Sequence, residues 1–332
     1  MDNEISLSHG AGGEAYRELV QEVFLPAYGS PELLELGDSA LVEGAAKLAF
    51  TTDGFVVTPL EFPGGDVGSL AVSGTVNDLA VSGAVPRYLS VSMILEAGLP
   101  VEVLRRVAQS IARTARAAGV RVVTGDTKVV EKGRGDGIYI TTAGVGTLDG
   151  GWELPPQRVE AGDALIVSGP IASHGMAVMA AREKLDFAPP ILSDARPLGG
   201  VVRAALETGL PVRALRDPTR GGLGATLCEW ARDEIDIVVE EARLPVLPGV
   251  AAACRLLGIE PMFVANEGVF LLSAPEEHAG ALLQALCGHP DGRHAEIIGK
   301  AVAGKGQVLL ETELGTRRRV LMPRGEILPR IC

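Results

Sequence analysis

The sequence lacks the features of membrane-spanning, secreted and nucleic-acid-binding proteins. No apolar run reaches the roughly 18 residues that a membrane-spanning helix needs. The first residues, Met1 to Glu4, are acidic, whereas a signal peptide begins with basic residues. Asp and Glu number 42 against 30 Lys and Arg, and the net charge of -12 would repel nucleic-acid phosphates. We therefore expect a protein that binds neither membranes nor nucleic acid.

The common nucleotide-binding loops and cysteine frameworks are also missing. No Gly-x-x-x-x-Gly-Lys-Ser/Thr loop is present, and no Gly-x-Gly-x-x-Gly opens a helix after a strand, which excludes the usual P-loop and Rossmann sites. The four cysteines, Cys228, Cys254, Cys287 and Cys332, are too widely spaced for a zinc site or a secreted disulfide framework. A reducing compartment, the cytoplasm, is therefore expected. The first three lie in apolar helical runs and are predicted to be small buried residues.

Length and composition predict two domains, each with a substantial core. The chain has 332 residues, of which 47% are apolar and 22% charged. Glycines before Trp152 suggest a boundary, which gives domains 1–150 and 151–322 and a tail, 323–332. Apolar runs predict strands at Phe55–Thr58, Tyr88–Leu95, Ile138–Val145, Ala164–Val167 and Val269–Ser273, with helices at Ala15–Phe24, Val67–Ser82, Val101–Ala118 and Met176–Glu183.

The tail ends in Cys332. Pro323, Gly325 and Pro329 favour an extended or turning segment rather than a helix. Ten residues could span roughly 33 Å, so the thiol could move between an internal site and another protein. The alternative, that Cys332 lies on a frayed end without a function, stays open at this point.

Acidic residues recur beside glycines or at predicted strand ends in the first 130 residues. They occur in Gly37-Asp38, Asp53-Gly54, Gly65-Asp66, Asn77-Asp78 and Gly125-Asp126. A single Asp-Gly pair is commonly a turn. Several converging carboxylates suit Mg²⁺, which keeps waters and bridges substrate phosphates. The series therefore predicts a shared metal and phosphate site.

Glycine-rich loops precede several of the predicted helices. The first is Ser8–Gly13, which contains His9 and could offer free N–H groups to an anion. The second domain has Ser168–Gly175 and Asp217–Gly224, and Asn266-Glu267 comes just before a predicted strand. These loops could be turns only. Their shared pattern suggests that the second domain closes over a ligand held by the first.

These segments together carry a resemblance that covers essentially the whole chain. The acidic series, with Asp217–Gly222 and Asn266-Glu267-Gly268, resembles the superfamily of ATP-using aminoimidazole ribonucleotide synthetase and selenophosphate synthetase. Ser8–Gly13 and Pro329–Cys332 resemble, within it, the HypE family of NiFe-hydrogenase maturation proteins. The resemblance implies an α+β, two-domain PurM-like fold. Its N-terminal, mostly antiparallel sheet forms a barrel in a homodimer, and an α/β sandwich domain and a flexible tail follow.

The resemblance also implies an activity in which the substrate is the tail itself. The carbamoyltransferase HypF places a carbamoyl group on Cys332, and ATP then drives its dehydration to a thiocyanate, the cyanide donor for the iron centre. HypC and HypD would accept the cyanide. Glu267 is the candidate base, Lys128 would stabilise phosphate charge or polarise the thiocarbamate, and Arg220 would meet the transferred phosphate. Mg²⁺ would be held by Asp38, Asp53, Asp78 and Asp126, and ATP also by Gly54, Asn77 and Thr127; Asp66 is a less certain member.

Two other functions remain compatible with the sequence. One is a non-catalytic carrier that only ferries a group on Cys332 to HypC and HypD. The other is a small-molecule ATP-dependent kinase or synthetase of the same superfamily, such as thiamine-monophosphate kinase. In the second case the tail would have no role.

Overall fold

The computed structural model describes residues 3–11, 13–34, 39–312, 314–324, 328 and 331. Its helices are α1 Glu14–Leu19, α2 Leu25–Tyr28, α3 Pro31–Leu34, α4 Val67–Val81, α5 Val101–Ala118, α6 Ser173–Arg182, α7 Gly199–Leu206, α8 Gly222–Trp230, α9 Pro248–Leu257 and α10 Glu276–Gly288, and a π-helical turn, Val20–Phe24, joins α1 to α2. Its strands are β1 Leu48–Phe55, β2 Glu61–Phe62, β3 Gly65–Asp66, β4 Val85–Glu96, β5 Arg121–Val130, β6 Ile138–Thr147, β7 Asp163–Val167, β8 Ala214–Arg216, β9 Ile235–Glu240, β10 Leu271–Pro275, β11 Glu296–Ala303, β12 Val308–Glu311 and β13 Arg317–Val320.

The N-terminal domain is a four-stranded sheet covered on one face by two helices. The strand order is β1-β6-β4-β5; only β4 and β5 run parallel, so the predicted, mostly antiparallel sheet is confirmed. Helices α4 and α5 share one apolar core with the strands. The other face leaves Phe50 71% and Ile94 40% exposed. Strands β1 and β5 are the two outer strands of this sheet.

The C-terminal domain is a seven-stranded sheet with apolar layers on both faces. Its order is β13-β12-β9-β11-β7-β10-β8, and only the β9–β12 pair is parallel. Along β7, Leu165 and Val167 belong to the layer beside α8, whereas Ala164 and Ile166 belong to the layer with α7 and α10. Alternate residues of a strand face opposite sides, so the apolar run Ala164–Val167 is what a sheet buried on both faces requires. The α/β sandwich is confirmed.

The position of the first strand and the placement of Asp78 differ from expectation. The first strand lies at Leu48–Phe55 rather than Phe55–Thr58, because only one of its faces packs on the domain and its residues are therefore not continuously apolar. The acidic residues were expected beside glycines or at strand ends. Asp66 ends β3, and Asp53 and Asp126 lie beside glycines within β1 and β5, whereas Asp78 lies within α4. Polar side chains are tolerated there because these positions are not fully buried.

The described part of the tail lies against the body of the protein. Ile331 is 3% exposed and belongs to the apolar cluster of the N-terminal domain, together with Val178 of α6 and Ala265. Leu328 packs against the same cluster. Both domains therefore enclose the described end of the chain. Among the described helices, none is both long enough and apolar enough to span a bilayer.

Candidate functional site

A cavity of about 770 Å³ lies between the two domains and collects many of the predicted site residues. Asp53 and Gly54 of β1 and Asp78 of α4 line it from the N-terminal domain. Arg220 and Glu267 line it from the C-terminal domain. We refer to it as the interdomain cavity.

Two threonines that the sequence reasoning missed hold the carboxylates of the N-terminal wall. Thr51 Oγ1 donates to Asp78 Oδ2 at 2.8 Å, and Thr75 Oγ1 donates to Asp53 Oδ2 at 3.2 Å. Thr51 and Asp53 share a face of β1 because they are two residues apart, and Thr75 and Asp78 share a face of α4 because they are three apart. The strand and the helix are thus joined by two side-chain hydrogen bonds. Spacing places each pair on one face of its element, but it does not show that the two faces meet.

Asp217, in the loop Asp217–Gly224, is a further buried acid of the same cavity. It is 6% exposed and precedes the turn into α8. Burial raises its pKa to about 7, with a further increase from the charge of Asp78. The turn requires glycine at Gly222, where φ is +62° and an added Cβ would lie 2.6 Å from the Val264 carbonyl oxygen. Asp217 and Arg220 are therefore presented by a loop of fixed shape.

Glu267 lies at the junction of the domains and is 3% exposed. Its backbone N–H donates to Asp194 Oδ2 at 3.2 Å, and its carbonyl oxygen accepts from Asn77 Nδ2 at 3.1 Å. Burial raises the pKa of its carboxyl well above the ordinary value, followed by the charges of Asp217 and Asp194. A carboxyl with a raised pKa is a stronger base once ionised, which suits proton removal.

Asp53 and Arg220 show how the cavity balances charge. Burial, followed by the charge of Asp78, raises the pKa of Asp53, and Arg220 partly opposes this change. Arg220 is exposed to solvent at the cavity wall. Its guanidinium is therefore available to an anion such as a phosphate.

A second cavity, of about 390 Å³, contains other members of the predicted set. Asp126 and Thr127 line it together with residues of α1 and α2, and we call it the helix-side cavity. Lys128 Nζ is 2.9 Å from Asp126. That hydrogen bond lowers the pKa of Asp126 and raises the pKa of Lys128. Within one chain, these residues do not line the interdomain cavity.

Asn77, predicted to contact ATP, joins the domains in this structure. Its Nδ2 donates to the carbonyl oxygens of Arg196 and Glu267 at 3.0 and 3.1 Å, and its Oδ1 accepts from Leu198 N at 2.7 Å. The amide is buried, and these bonds use both of its donors. Asn77 therefore positions Glu267 through the main chain.

Asp66 and His9 both form hydrogen bonds to the backbone of neighbouring residues. Asp66 is the N-cap of α4 and accepts from the backbone N–H groups of Gly68 and Ser69, so its carboxylate is directed to the helix end. His9 is buried and its Nδ1 accepts from Ser6 N at 3.0 Å. The loop after it lies close to β5, because a Cβ on Gly10 would be 2.6 Å from Val129 N. Asp38 and Cys332 lie outside the described residues.

The cavity residues fit a magnesium ion that is completed by substrate. No three His, Cys, Asp or Glu side chains of the described ranges form a group that could enclose a metal. Mg²⁺ commonly takes only one or two carboxylates and obtains its other ligands from waters and phosphates. Asp53 and Asp78, whose charges repel each other, provide such a pair beside a large cavity. The donor set is therefore suited to Mg²⁺ with a bound nucleotide and less suited to a metal held by protein alone.

Comparison with known proteins gives consistent matches over the whole chain. Residues 36–148 match the N-terminal domain, and residues 160–311 the C-terminal domain, of the AIR synthase related proteins. The carbamoyl dehydratase HypE of Rhodobacter capsulatus is 47% identical over 336 residues, which cover 100% of this chain and 99% of the relative. The crystal structure of the hydrogenase maturation protein HypE in complex with ATP superposes with a TM-score of 0.95 at 41% identity, covering 98% of this chain and 99% of that one. A HypE–HypF complex aligns with a TM-score of 0.81 at 42% identity, covering 92% and 99%.

Proposed function

The chain belongs to the HypE family of carbamoyl dehydratases, and from that premise we propose that it uses ATP to dehydrate a carbamoyl group carried on its own Cys332. The product would be a thiocyanate that supplies cyanide to hydrogenase maturation. Because the relatives are named as dehydratases, the non-catalytic carrier and the small-molecule kinase are set aside. The observation that carries the proposal is the burial of Ile331, the neighbour of Cys332, between the domains.

The proposed chemistry divides one difficult elimination into two steps. The carbamoyl oxygen attacks the γ-phosphorus of ATP, releases ADP and becomes a phosphate ester while one proton leaves the nitrogen. The C–O bond then breaks, a second proton leaves the nitrogen, and phosphate departs as the carbon–nitrogen triple bond forms. The phosphoryl group is needed because an amide oxygen is a poor leaving group.

The residues of the interdomain cavity suit these steps. Glu267 would accept the nitrogen proton, since it is a buried carboxyl with a raised pKa at the cavity wall. Arg220 would contact the transferred phosphate. Asp53 and Asp78 would hold Mg²⁺, which would offset the charge of the ATP phosphates when bound. Gly54 would allow the phosphates to approach β1 closely, and Asp38 is proposed as a further metal ligand.

Lys128, Asp126 and Thr127 would join this site through a homodimer. The N-terminal sheet ends in β1 and β5 and exposes Phe50 on one face, as a half-barrel that pairs with a second copy would. If β5 of one copy closes against β1 of the other, residues of the helix-side cavity come near the partner's interdomain cavity. A composite site would therefore explain why one chain keeps the two groups apart.

Complementation tests this composite site. Glu267→Gln and Lys128→Ala should each be inactive alone. In an equal mixture that has exchanged subunits, one heterodimer site keeps both residues, and about a quarter of the wild-type activity should return. Activity that stays absent in a mixture shown to contain heterodimers would contradict a site shared between chains.

The partners and the compartment follow from the same proposal. HypF is proposed as the source of the carbamoyl group, in keeping with the HypE–HypF complex of the relatives. HypC and HypD are proposed as the acceptors of the cyanide. A free thiol at Cys332 requires reducing conditions, so we propose the cytoplasm. The three described cysteines, Cys228, Cys254 and Cys287, are free, in keeping with that environment. The prediction that they are buried is confirmed for Cys254 and wrong for Cys287, which is exposed.

The intact mass of the protein tests the function directly. After incubation with HypF, carbamoyl phosphate and ATP, we expect a carbamoyl adduct and then the same adduct less one water. The Cys332→Ala variant should bind ATP and acquire neither mass. An adduct on that variant would contradict Cys332 as the acceptor, and an adduct that never loses water would contradict the dehydration.

A further inference from the structure

His174 at the start of α6 makes contacts that the catalytic scheme does not use. Its side chain is fully buried. Nδ1 lies 2.8 Å from Ser193 Oγ, and Nε2 lies 3.0 Å from the carbonyl oxygen of Ile331. The ring also meets Phe62 edge to face, with centroids 5.5 Å apart. One buried imidazole thus contacts the N-terminal domain, the segment before α7 and the tail.

The hydrogen-bond partners define which nitrogen carries the proton. A carbonyl oxygen only accepts, so Nε2 must be protonated to face Ile331. Ser193 Oγ accepts from Ala195 N at 3.1 Å and can therefore give its own hydrogen to Nδ1. Burial lowers the pKa of His174, in agreement with a neutral ring, although the nearby charge of Asp194 opposes the change. Ser193 therefore selects the tautomer that binds the tail.

Three further features shape a binding site for the tail around this bond. Gly175 has no side chain where Leu328 packs, and an added Cβ would lie 3.2 Å from Leu328 Cδ1 and 2.6 Å from Val264 Cγ1. Ile331 packs in the apolar cluster that contains Phe62, Val178 and Ala265. Ala265 lies two residues before Glu267, so this wall continues into the interdomain cavity.

We propose that His174 is a positioning residue that holds the tail between the domains by donating from Nε2 to the Ile331 carbonyl. This inference rests on the proposed function, because it assigns a role to the tail in that reaction. The bond is made to the main chain, so it fixes the direction of the last residues whatever group the thiol carries. Ser193 also links the tail to the N-terminal domain, because its N–H donates to the Pro63 carbonyl oxygen at 2.8 Å. The tail would therefore be held firmly only when the domains are in contact.

Two amide substitutions that differ by one methylene group separate the donor at Nε2 from the one at Nδ1. In His174→Gln the amide nitrogen corresponds to Nε2 and can still reach Ile331. In His174→Asn the amide nitrogen corresponds to Nδ1 and reaches only toward Ser193. His294→Leu, at an exposed histidine of the same domain, is the control for the loss of an imidazole elsewhere.

The first measurement is the rate at which a maleimide labels Cys332, in a Cys228→Ser, Cys287→Ser background. A hydrogen bond of ordinary net strength changes the labelling rate by about three- to tenfold. We expect this increase for His174→Asn, a smaller one for His174→Gln and none for His294→Leu. Equal protection of Cys332 in His174→Asn and wild type would overturn the proposal.

The second measurement is the rate of thiocyanate formation from carbamoylated protein at saturating ATP. His174→Asn should lower this rate by about the same factor while the affinity for ATP and the melting temperature stay near wild type. Fast labelling with an unchanged rate would overturn the positioning role. If wild type also forms no thiocyanate, the proposed function fails, whereas the labelling experiment still tests the binding of the tail.

Discussion

Two groups of acidic residues, one on the N-terminal domain and one between the domains, differ although they share residue types. Asp126 is half exposed and paired with Lys128, and its pKa is lowered. Asp53 shares the interdomain cavity with Asp78, Asp217 and Glu267, and burial dominates the raised pKa values of Asp53, Asp217 and Glu267. A paired surface carboxylate costs the fold little, whereas buried like charges oppose folding. The interdomain group is thus the one that stability alone does not explain, which is typical of a functional site.

The largest expected effect is on catalysis by Glu267. Glu267→Gln keeps the shape and removes the acceptor, so thiocyanate formation should fall by about 10² or more, the usual contribution of a general base. Binding of ATP should remain near wild type because the nucleotide does not need that proton acceptor. Infrared detection of the nitrile from carbamoylated protein gives the rate. Normal kinetics in the variant would assign the proton transfer to another group.

The second effect is the pH dependence that Asp217 gives to the free energy of unfolding. Native Asp217 keeps its proton up to about pH 7, whereas the unfolded carboxyl loses it near 3.8. Between these values the native state binds more protons, so the free energy of unfolding falls as the pH rises through this window and stays low above it. Between about pH 5 and pH 8, the free energy of unfolding of Asp217→Asn should therefore fall by about 2 kcal/mol less than that of wild type.

Urea unfolding of wild type and of Asp217→Asn, each at about pH 5 and about pH 8, measures this difference. Asp126→Asn is the matched control, because the pKa of Asp126 is lowered and it titrates below this window. It should keep the wild-type decline. An identical decline in Asp217→Asn and wild type would show that burial of Asp217 does not oppose folding.

The third effect separates the metal from the nucleotide at Asp78. Asp78→Asn removes one ligand charge while its amide oxygen can still accept from Thr51, so affinity for Mg-ATP should fall about tenfold. Without Mg²⁺, the same variant should bind ATP more tightly than wild type, because one repelling charge is gone. Calorimetry with and without a chelator measures both. Equal affinities in both conditions would contradict a carboxylate-held metal.

The smallest effect is the change in protein stability when the Asp126–Lys128 pair is removed. Asp126→Asn should leave the urea midpoint unchanged within error, since Asp126 and Lys128 are 53% and 64% exposed. A clear loss of stability would show that the Asp126–Lys128 pair, unlike the carboxylates of the interdomain cavity, stabilises the fold. Under the composite-site proposal this variant should nevertheless weaken Mg-ATP binding in the dimer.

The sequence predicted the two-domain fold well because its strongest signals are periodic. The helices at Val67–Val81 and Val101–Ala118 and the strands at Val85–Glu96 and Ile138–Thr147 lie within a few residues of their predicted bounds. Strand β1 was misplaced because a strand with one exposed face has no continuous apolar run. Motif resemblance carried the rest, including the division into PurM-like domains.

The candidate site was only partly predictable. Asp53, Asp78, Arg220 and Glu267, which the motifs singled out, line one cavity, whereas Asp126 lies apart from it. The contributions of Thr51, Thr75 and Asp217 depend on how β1, α4 and the loop before α8 meet, and spacing in the sequence does not fix such contacts. The same holds for His174, whose partner Ile331 is 157 residues away.

Helix α4 has a consequence for how mutations distribute along the chain. Its residues are buried almost all round, because it lies between the N-terminal sheet, α5 and α7 while Asp78 lines the cavity. Helix α5 keeps a solvent side, and its buried positions recur every three or four residues. In a library of single substitutions, tolerated changes should recur with that period along α5 and should be scarce at every position of α4. Sequence drift among descendants of this protein should therefore be slow across the whole of α4, a helix with few positions at which to accumulate neutral change.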